Sequence, residues 1–306
     1  MINFLKEEIP FLKECSKIEL INKGLSYASV FKIYKEQKIY ILKIYKDNKI
    51  NRIEVINRYI NTNQIIPEVI EYGKTPNLDF YIIMEYIKSG TLEENYKNIP
   101  NNEIFKKAKK LGQTQKVLSE KYITKEENFF ETFKESELKK YEQTVDLINK
   151  YKHELPQIDI IKIKQDMERL IEFFRYDKYF YMHFDLKADN VMLDKELLMI
   201  DYENTTSIYL PIALRCEIYH IMNNDEKSEK SKEFIKGVIS GIEEEQIKDS
   251  NLNKKLAYAY LKSAFVYIVG YLLKNNRINE AKIQIEKIDK VYSKCENIES
   301  LIGNWK

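Results

Sequence analysis

Apolar and polar positions alternate with period two between residues 18 and 45, and the alternation resolves into three segments, 18–22, 29–34 and 39–45. Gly24 and the pair Glu36-Gln37 punctuate them, so the pattern predicts an antiparallel meander of three strands. The third segment is apolar on both faces, with Tyr40, Leu42 and Ile44 on one and Ile39 and Ile41 on the other, and Lys43 shares the second face. A strand buried on both sides carries its lysine inside, where an ammonium requires an anionic partner. A helix is expected next, with a stripe of Ile50, Ile53, Asn57 and Ile60. Pro67, Gly73 and Pro76 punctuate two further strands, 69–72 and 80–84, and the pattern then breaks at residues 85–90.

From residue 92 the spacing becomes helical. The stripes are Ile104, Ala108, Leu111, Gln115 and Leu118, then Leu138, Tyr141, Val145 and Ile148, then Ile163, Met167, Leu170 and Phe174, with Pro156 separating two of the helices. Extended structure returns at 179–182, followed by two short runs around the polar turn Asp194-Lys195-Glu196. Helices resume over 212–222, 234–242, 256–273 and 278–291. The expected class is α+β, with an antiparallel-sheet unit over 1–88, a hinge at about 85–90, and a mainly helical unit over 89–306.

Composition narrows the partners. A chain of 306 residues that is 44% hydrophobic buries a sizeable core, and 50 basic against 48 acidic residues leave a net charge of +2. No overall field favours nucleic acid, an anionic membrane or a polycation, so neither nucleic acid nor membrane is expected as a partner. Cys15, Cys216 and Cys295 are odd in number and lack CxxC spacing, which suits a reducing compartment and argues against a disulfide framework or a zinc site. Lys6, Glu7, Glu8 and Pro10 replace an apolar signal core, and the most apolar run, 257–273, is interrupted by Lys262 and several tyrosines. A soluble cytoplasmic protein is expected; oligomeric state has no signal.

The chemistry concentrates in one run, His183-Phe184-Asp185-Leu186-Lys187-Ala188-Asp189-Asn190, followed by Ile200-Asp201-Tyr202-Glu203. With three histidines in the whole chain, a chance His-x-Asp-x4-Asn is rare. Such a run suits phosphoryl transfer, in which a carboxylate meets an acceptor hydroxyl while an amide oxygen a few residues on holds a metal bridging nucleotide phosphates. Lys43 then has two natural partners, the phosphates and Glu54 of the following helix; the rival for Glu54 is an i,i+4 pair with Arg58. The small-residue segment from Gly24 to Ser29 would let backbone near Ser26 and Ser29 approach phosphate oxygens. Backbone groups of Glu85 to Ile87 would meet a purine edge, with Met84 behind the ring.

Taken in order, the small-residue loop, Lys43, a helical glutamate, the hinge, His183-x-Asp185-x4-Asn190 and Ile200-Asp201 resemble the protein-kinase-like superfamily over nearly the whole chain. Asp201-Tyr202-Glu203 resembles the Asp-aromatic-Glu of the aminoglycoside phosphotransferase and choline kinase branch, and no Ala-Pro-Glu follows. The resemblance implies a two-lobed protein-kinase-like fold, ATP or GTP, and Mg²⁺ held by Asn190 and Asp201. It implies that Lys43 holds the α and β phosphates, that Asp185 receives the acceptor proton, and that His183 braces the loop. Lys187 would offer a cation to the transferred group. The implied acceptor is a small-molecule hydroxyl of amino sugar, aminoglycoside or amino alcohol type; a protein kinase and an inactive kinase-like protein are the alternatives. The chain departs from the branch in its single loop glycine, in Lys187 where many small-molecule kinases place histidine, and in lacking an aspartate near Pro211.

Overall fold

The computed structural model describes residues 2–21, 28–45, 52–62, 65–75, 77–294 and 297–302. They form two compact units, Met1–Asn95 with Asp189–Thr205, and Tyr96–Ala188 with Thr206–Lys306. The class is mixed α+β, with an antiparallel sheet in the N-terminal part and a mostly helical C-terminal part.

In the first unit, α1 (Ile2–Glu8) and a 3-10 turn (Pro10–Glu14) lead into β1 (Lys17–Ile21), β2 (Ala28–Lys35) and β3 (Lys38–Tyr45). After α2 (Arg52–Ile60) come β4 (Val69–Thr75) and β5 (Leu78–Glu85), giving a five-stranded antiparallel sheet of order β1-β2-β3-β5-β4. The expected meander is present. Glu36 and Gln37, at φ 48° and 65°, supply the two left-handed residues that a tight hairpin with the right strand twist requires. Leu5, Ile9 and Leu12 pack on Phe31, Ile33, Leu42, Ile44 and Ile83 to form this unit's core.

The register of α2 differs from the expected stripe. Its buried residues are Arg52, Val55, Ile56 and Tyr59, while Ile60 is 40% exposed and Ile50 lies outside the described residues. Aromatic anchoring accounts for the rotation. The Tyr59 ring lies 5.2 Å from the Tyr202 ring, its hydroxyl bonds Thr205 Oγ1 at 2.8 Å, and the Arg52 guanidinium lies 4.2 Å from the Tyr45 ring centre. A tyrosine buries more area than an isoleucine and must also satisfy its hydroxyl, so it decides which face turns inward.

The second unit begins with α3 (Asn101–Tyr122), α4 (Phe129–Lys150), α5 (Ile160–Ile171) and β6 (Phe180–His183). The chain then contributes a hairpin of β7 (Val191–Leu193) and β8 (Leu197–Met199) to the first unit. It continues with β9 (Thr205–Ile208), which pairs with β6, then α6 (Leu210–Ala213), α7 (Arg215–Asn223), α8 (Ser228–Ile242) and α9 (Leu252–Leu261). A π-helical segment, Lys262–Val269, joins α9 to α10 (Gly270–Lys274), and α11 (Ile278–Tyr292) follows. The stretch Leu252–Lys274 is long and apolar enough to cross a membrane, and 83% of its apolar window is buried inside the protein.

The α3 stripe is buried at all five expected positions. On α4 the helix is turned: Glu137, Tyr141, Thr144 and Ile148 face inward, and Leu138 and Val145 are half-buried. The cause is ionic, because the Glu137 carboxylate meets Lys262 at 2.6 Å with both side chains only 3% exposed. Such a pair must form or leave a buried charge uncompensated, which outweighs a few half-buried methyl groups.

α3 and α8 touch backbone to backbone. A Cβ at Gly241 would stand 2.1 Å from the Lys109 carbonyl oxygen, one at Gly112 2.4 Å from that of Val238, and one at Gly237 2.5 Å from that of Phe105. Gly241→Ala therefore forces the helices apart and lowers stability by about 1–3 kcal/mol. A lowered urea midpoint checks this, and an unchanged midpoint would contradict the close packing.

Candidate active site

In the first unit the site grows from the sheet and the hairpin. Lys43 sits in β3 between Val30 of β2 and Ile82 of β5 and is buried. Its Nζ forms an ion pair with Asp201 and lies 3.5 Å from Glu203 Oε1. Burial lowers the ammonium's affinity for its proton, but the negative charges of Glu203 and Asp201 outweigh that and hold its pKa above the ordinary lysine value. Glu203 is 1% exposed, and its Oε2 has no hydrogen-bond partner among the described residues.

Both carboxylates lie just past β8. Val191 pairs with Met199, and the Ile200 N–H donates to the Asn190 carbonyl at 2.9 Å, so the ladder runs one step further. Asn190 and Asp201 thus flank the open end of one hairpin. The hairpin is fixed from outside by the Leu92 N–H on Val191 O (2.7 Å), the Leu193 N–H on Gly90 O (3.0 Å) and the Met199 N–H on Ile65 O (2.6 Å). Asp201 has φ 58°, a left-handed conformation costing a non-glycine residue about 1–3 kcal/mol. Fully buried Tyr202 and the Asn204 N–H on Asp201 O (3.0 Å) hold it there.

In the second unit the run 183–188 is pinned donor by donor. The His183 N–H donates to Gln115 Oε1 (3.2 Å), the Asp185 N–H to His183 Nδ1 (3.0 Å), the Leu186 N–H to Ala213 O (2.9 Å) and the Ala188 N–H to Glu217 Oε1 (2.8 Å). These bonds fit the bracing part expected of His183. Asp185 Oδ1 accepts from Arg215 Nη2 at 2.8 Å and from Cys216 Sγ at 3.3 Å, while Lys187 Nζ stands 3.8 Å from Oδ2. Arg215 also donates to Phe184 O, tying the loop to α7.

Burial pushes the Asp185 carboxyl up, yet Arg215, Lys187 and His183 together bring it below the usual aspartate value. With a depressed folded value, this group contributes stability that is present above about pH 3.9 and lost as pH falls through the folded value. An NMR titration should find Asp185 ionised throughout about pH 5 to 8, and Arg215→Met should move its midpoint upward. A midpoint near neutrality in the unaltered protein would contradict the assignment. Burial and the neighbouring Asp185 push the Cys216 thiol up to about 12, so it stays protonated beside that carboxylate.

The remaining expected residues fall as follows. Glu54 is half exposed and pairs with Arg58, the rival arrangement, while the described carboxylates at Lys43 are Asp201 and Glu203. Ser29 lies in β2 opposite Ile44, half-buried; Ser26 lies outside the described residues. Glu85 ends β5 opposite Tyr40 with its N–H on Glu68 O at 2.9 Å. Ile87 follows two residues later, half-buried. Cys15 and Cys216 are free thiols, and Cys295 is outside the described residues. Sequence reasoning did not find Arg215 or Glu217, although an arginine and a glutamate two residues apart inside the apolar run 208–222 were a usable signal.

Among the described residues no group of three or more His, Cys, Asp or Glu side chains could cage a metal. Two hard oxygen donors, Asn190 and Asp201, instead suit an ion that takes the rest of its ligands from water and phosphate, as Mg²⁺ does.

No protein-family profile matches the chain, and no curated protein matches it. Solved structures do. A spectinomycin phosphotransferase in complex with ADP and spectinomycin is 13% identical with a TM-score of 0.61, covering 98% of this chain and 96% of that one. A thermostable mutant aminoglycoside phosphotransferase in ternary complex with ADP and hygromycin B is 12% identical with a TM-score of 0.64, covering 96% and 98%. A choline kinase from Cryptosporidium parvum Iowa II is 17% identical with a TM-score of 0.56, covering 96% of each. The chain therefore has the fold of these phosphotransferases over nearly its whole length.

Proposed function

We propose that this protein is a phosphotransferase that moves the γ-phosphoryl group of ATP, or of GTP, to a hydroxyl of a small molecule. The observation that carries this is the buried Lys43 held by Asp201 and Glu203, with Asn190 at the other side of the same hairpin end. A buried ammonium beside hard oxygen donors is what a charged triphosphate and its metal require. The complexes of the similar structures with ADP, spectinomycin and hygromycin B support a nucleotide and a small acceptor.

Lys43 receives the α and β phosphates, and the carbonyl of Glu85 and the N–H of Ile87 face the base. Asn190 and Asp201 are the residues that would hold Mg²⁺, which would offset the negative charge of the phosphates when bound. Asp185, five residues before Asn190 along the chain, orients the acceptor's hydroxyl. Its Oδ1 is fixed by Arg215 and Cys216, and Oδ2 takes the hydroxyl proton. The acceptor oxygen bonds to the γ-phosphorus, the bond to the β-bridging oxygen breaks, and the nucleoside diphosphate leaves with that electron pair. The transition state is loose, so orientation by Asp185 counts for more than its basicity. Lys187 supplies a cation beside the transferred group.

Incubation with γ-labelled ATP and Mg²⁺, then separation of small hydroxylated products from macromolecules, tests the reading. Label should enter a small molecule. Label confined to protein would favour a protein kinase, and no nucleotide-dependent rise in melting temperature would favour an inactive kinase-like protein.

A further inference from the structure

Within the first unit, the two carboxylates that meet Lys43 differ in what they can reach. The Asp201 side chain is 30% exposed, whereas that of Glu203 is 2% exposed. Glu203 Oε2 has no hydrogen-bond partner among the described residues, and Oε1 stands 3.5 Å from Lys43 Nζ. The segment that carries Glu203 is locked from both sides. Tyr202 is fully buried with its ring 5.2 Å from that of Tyr59, the Thr205 hydroxyl donates to Tyr202 O at 2.6 Å, and the Tyr59 hydroxyl meets Thr205 Oγ1 at 2.8 Å. Glu203 therefore cannot swing outward without unpacking Tyr202. Glu54, the helical glutamate expected for Lys43, is instead 49% exposed beside Arg58.

A metal-bound nucleotide places competing demands on these side chains. Once Asp201 ligates Mg²⁺, its charge serves a divalent cation and its ion pair with Lys43 loosens. The Lys43 ammonium is buried, so it cannot be left uncompensated. The phosphates bring one anion to it. A lysine, however, carries its charge on a flexible four-carbon stem, and a single contact does not aim it. Glu203 is the carboxylate that stays, because burial keeps it from following Asp201 toward the metal.

We infer that Glu203 is a positioning residue of the nucleotide site: it holds Lys43 while Asp201 turns to the metal, so that Lys43 exchanges one carboxylate for phosphate and keeps the other. This rests on the phosphotransferase reading and gives Glu203 the part within it that was expected of Glu54. Asp201 thereby becomes available to the metal without stranding the lysine.

One test needs neither metal nor nucleotide. In chelator, Asp201→Asn should melt within about 3 °C of the unaltered protein, because Glu203 still holds Lys43. Adding Glu203→Gln to that variant strands the ammonium and should lower the melting temperature by at least about 5 °C more. The second test is calorimetric titration with ATP at a series of free Mg²⁺ concentrations. In Glu203→Gln, Lys43 keeps Asp201 as its one carboxylate, and the metal must displace it. That variant should need about tenfold or more free Mg²⁺ to reach half of the metal-dependent gain in affinity, while its affinity in chelator changes by less than about threefold. A merely structural glutamate would change the folded fraction and leave that midpoint unmoved. If Glu203→Gln does not fold, Glu203→Asp, which draws the charge back by one methylene, should move the midpoint the same way by about fivefold. An Asp201→Asn protein no more stable than the double variant, or an unmoved Mg²⁺ midpoint, overturns the inference and leaves the phosphotransferase reading standing. ATP that fails to bind the unaltered protein at every Mg²⁺ concentration overturns both.

Discussion

Asp185→Asn lowers turnover by about 10²- to 10⁴-fold while the affinity for Mg·ATP changes by less than about twofold. The amide keeps the shape of the carboxylate, and its oxygen still accepts from Arg215 Nη2, so the loop 183–188 stays pinned through its backbone donors. What disappears is the group that takes the proton from the acceptor. A modest loss of stability accompanies it, because buried Arg215 then lacks its carboxylate. Single-turnover kinetics and calorimetric nucleotide titration separate the two effects. Turnover retained at more than about one tenth would remove Asp185 from the proposed chemistry.

Lys43→Met has a double cost. It abolishes productive nucleotide binding, and it leaves Glu203 buried and Asp201 part-buried without their shared cation, destabilising the protein by about 3–5 kcal/mol. Partial exposure of Asp201 pulls this toward the lower figure. The pair Lys43→Met with Glu203→Gln should recover much of the stability and none of the activity, because the uncompensated buried charge is then gone while the phosphate ligand remains missing. Denaturant melts of the three proteins, set beside their turnover, check both halves. A single variant as stable as the original would mean that the buried triad does not exist in solution.

The strands and most helices were legible because their residues face one surface each, so period two and period 3.6 report burial directly. The α3 stripe and the three-strand meander are of this kind. Elements went astray where one strong interaction outweighed a row of weak ones. Tyr59 turned α2 away from the stripe of Ile53 and Ile60, and Glu137 turned α4 toward Lys262. The same physics governs the candidate site. Asp185, Asn190 and Asp201 stand in short runs whose spacing is itself the signal. The carboxylates around Lys43 come from 158 and 160 residues further along the chain, a pairing that no local pattern announces. Arg215 was hidden for a related reason: its role depends on α7 returning to the loop at Phe184 and Asp185. The π-helical winding left no mark in the periodicity, since residues 257–273 are almost uniformly apolar.

The most direct test of the central claim is a calorimetric titration of the protein with ATP, in Mg²⁺ and in chelator, for the unaltered chain and for Asp201→Ala. Binding should be strong with Mg²⁺, at least about tenfold weaker in chelator, and insensitive to Mg²⁺ once Asp201 is gone. Equal affinity in Mg²⁺ and chelator, or no binding in either, would contradict the assignment of Lys43, Asn190 and Asp201 to a metal-bound nucleotide.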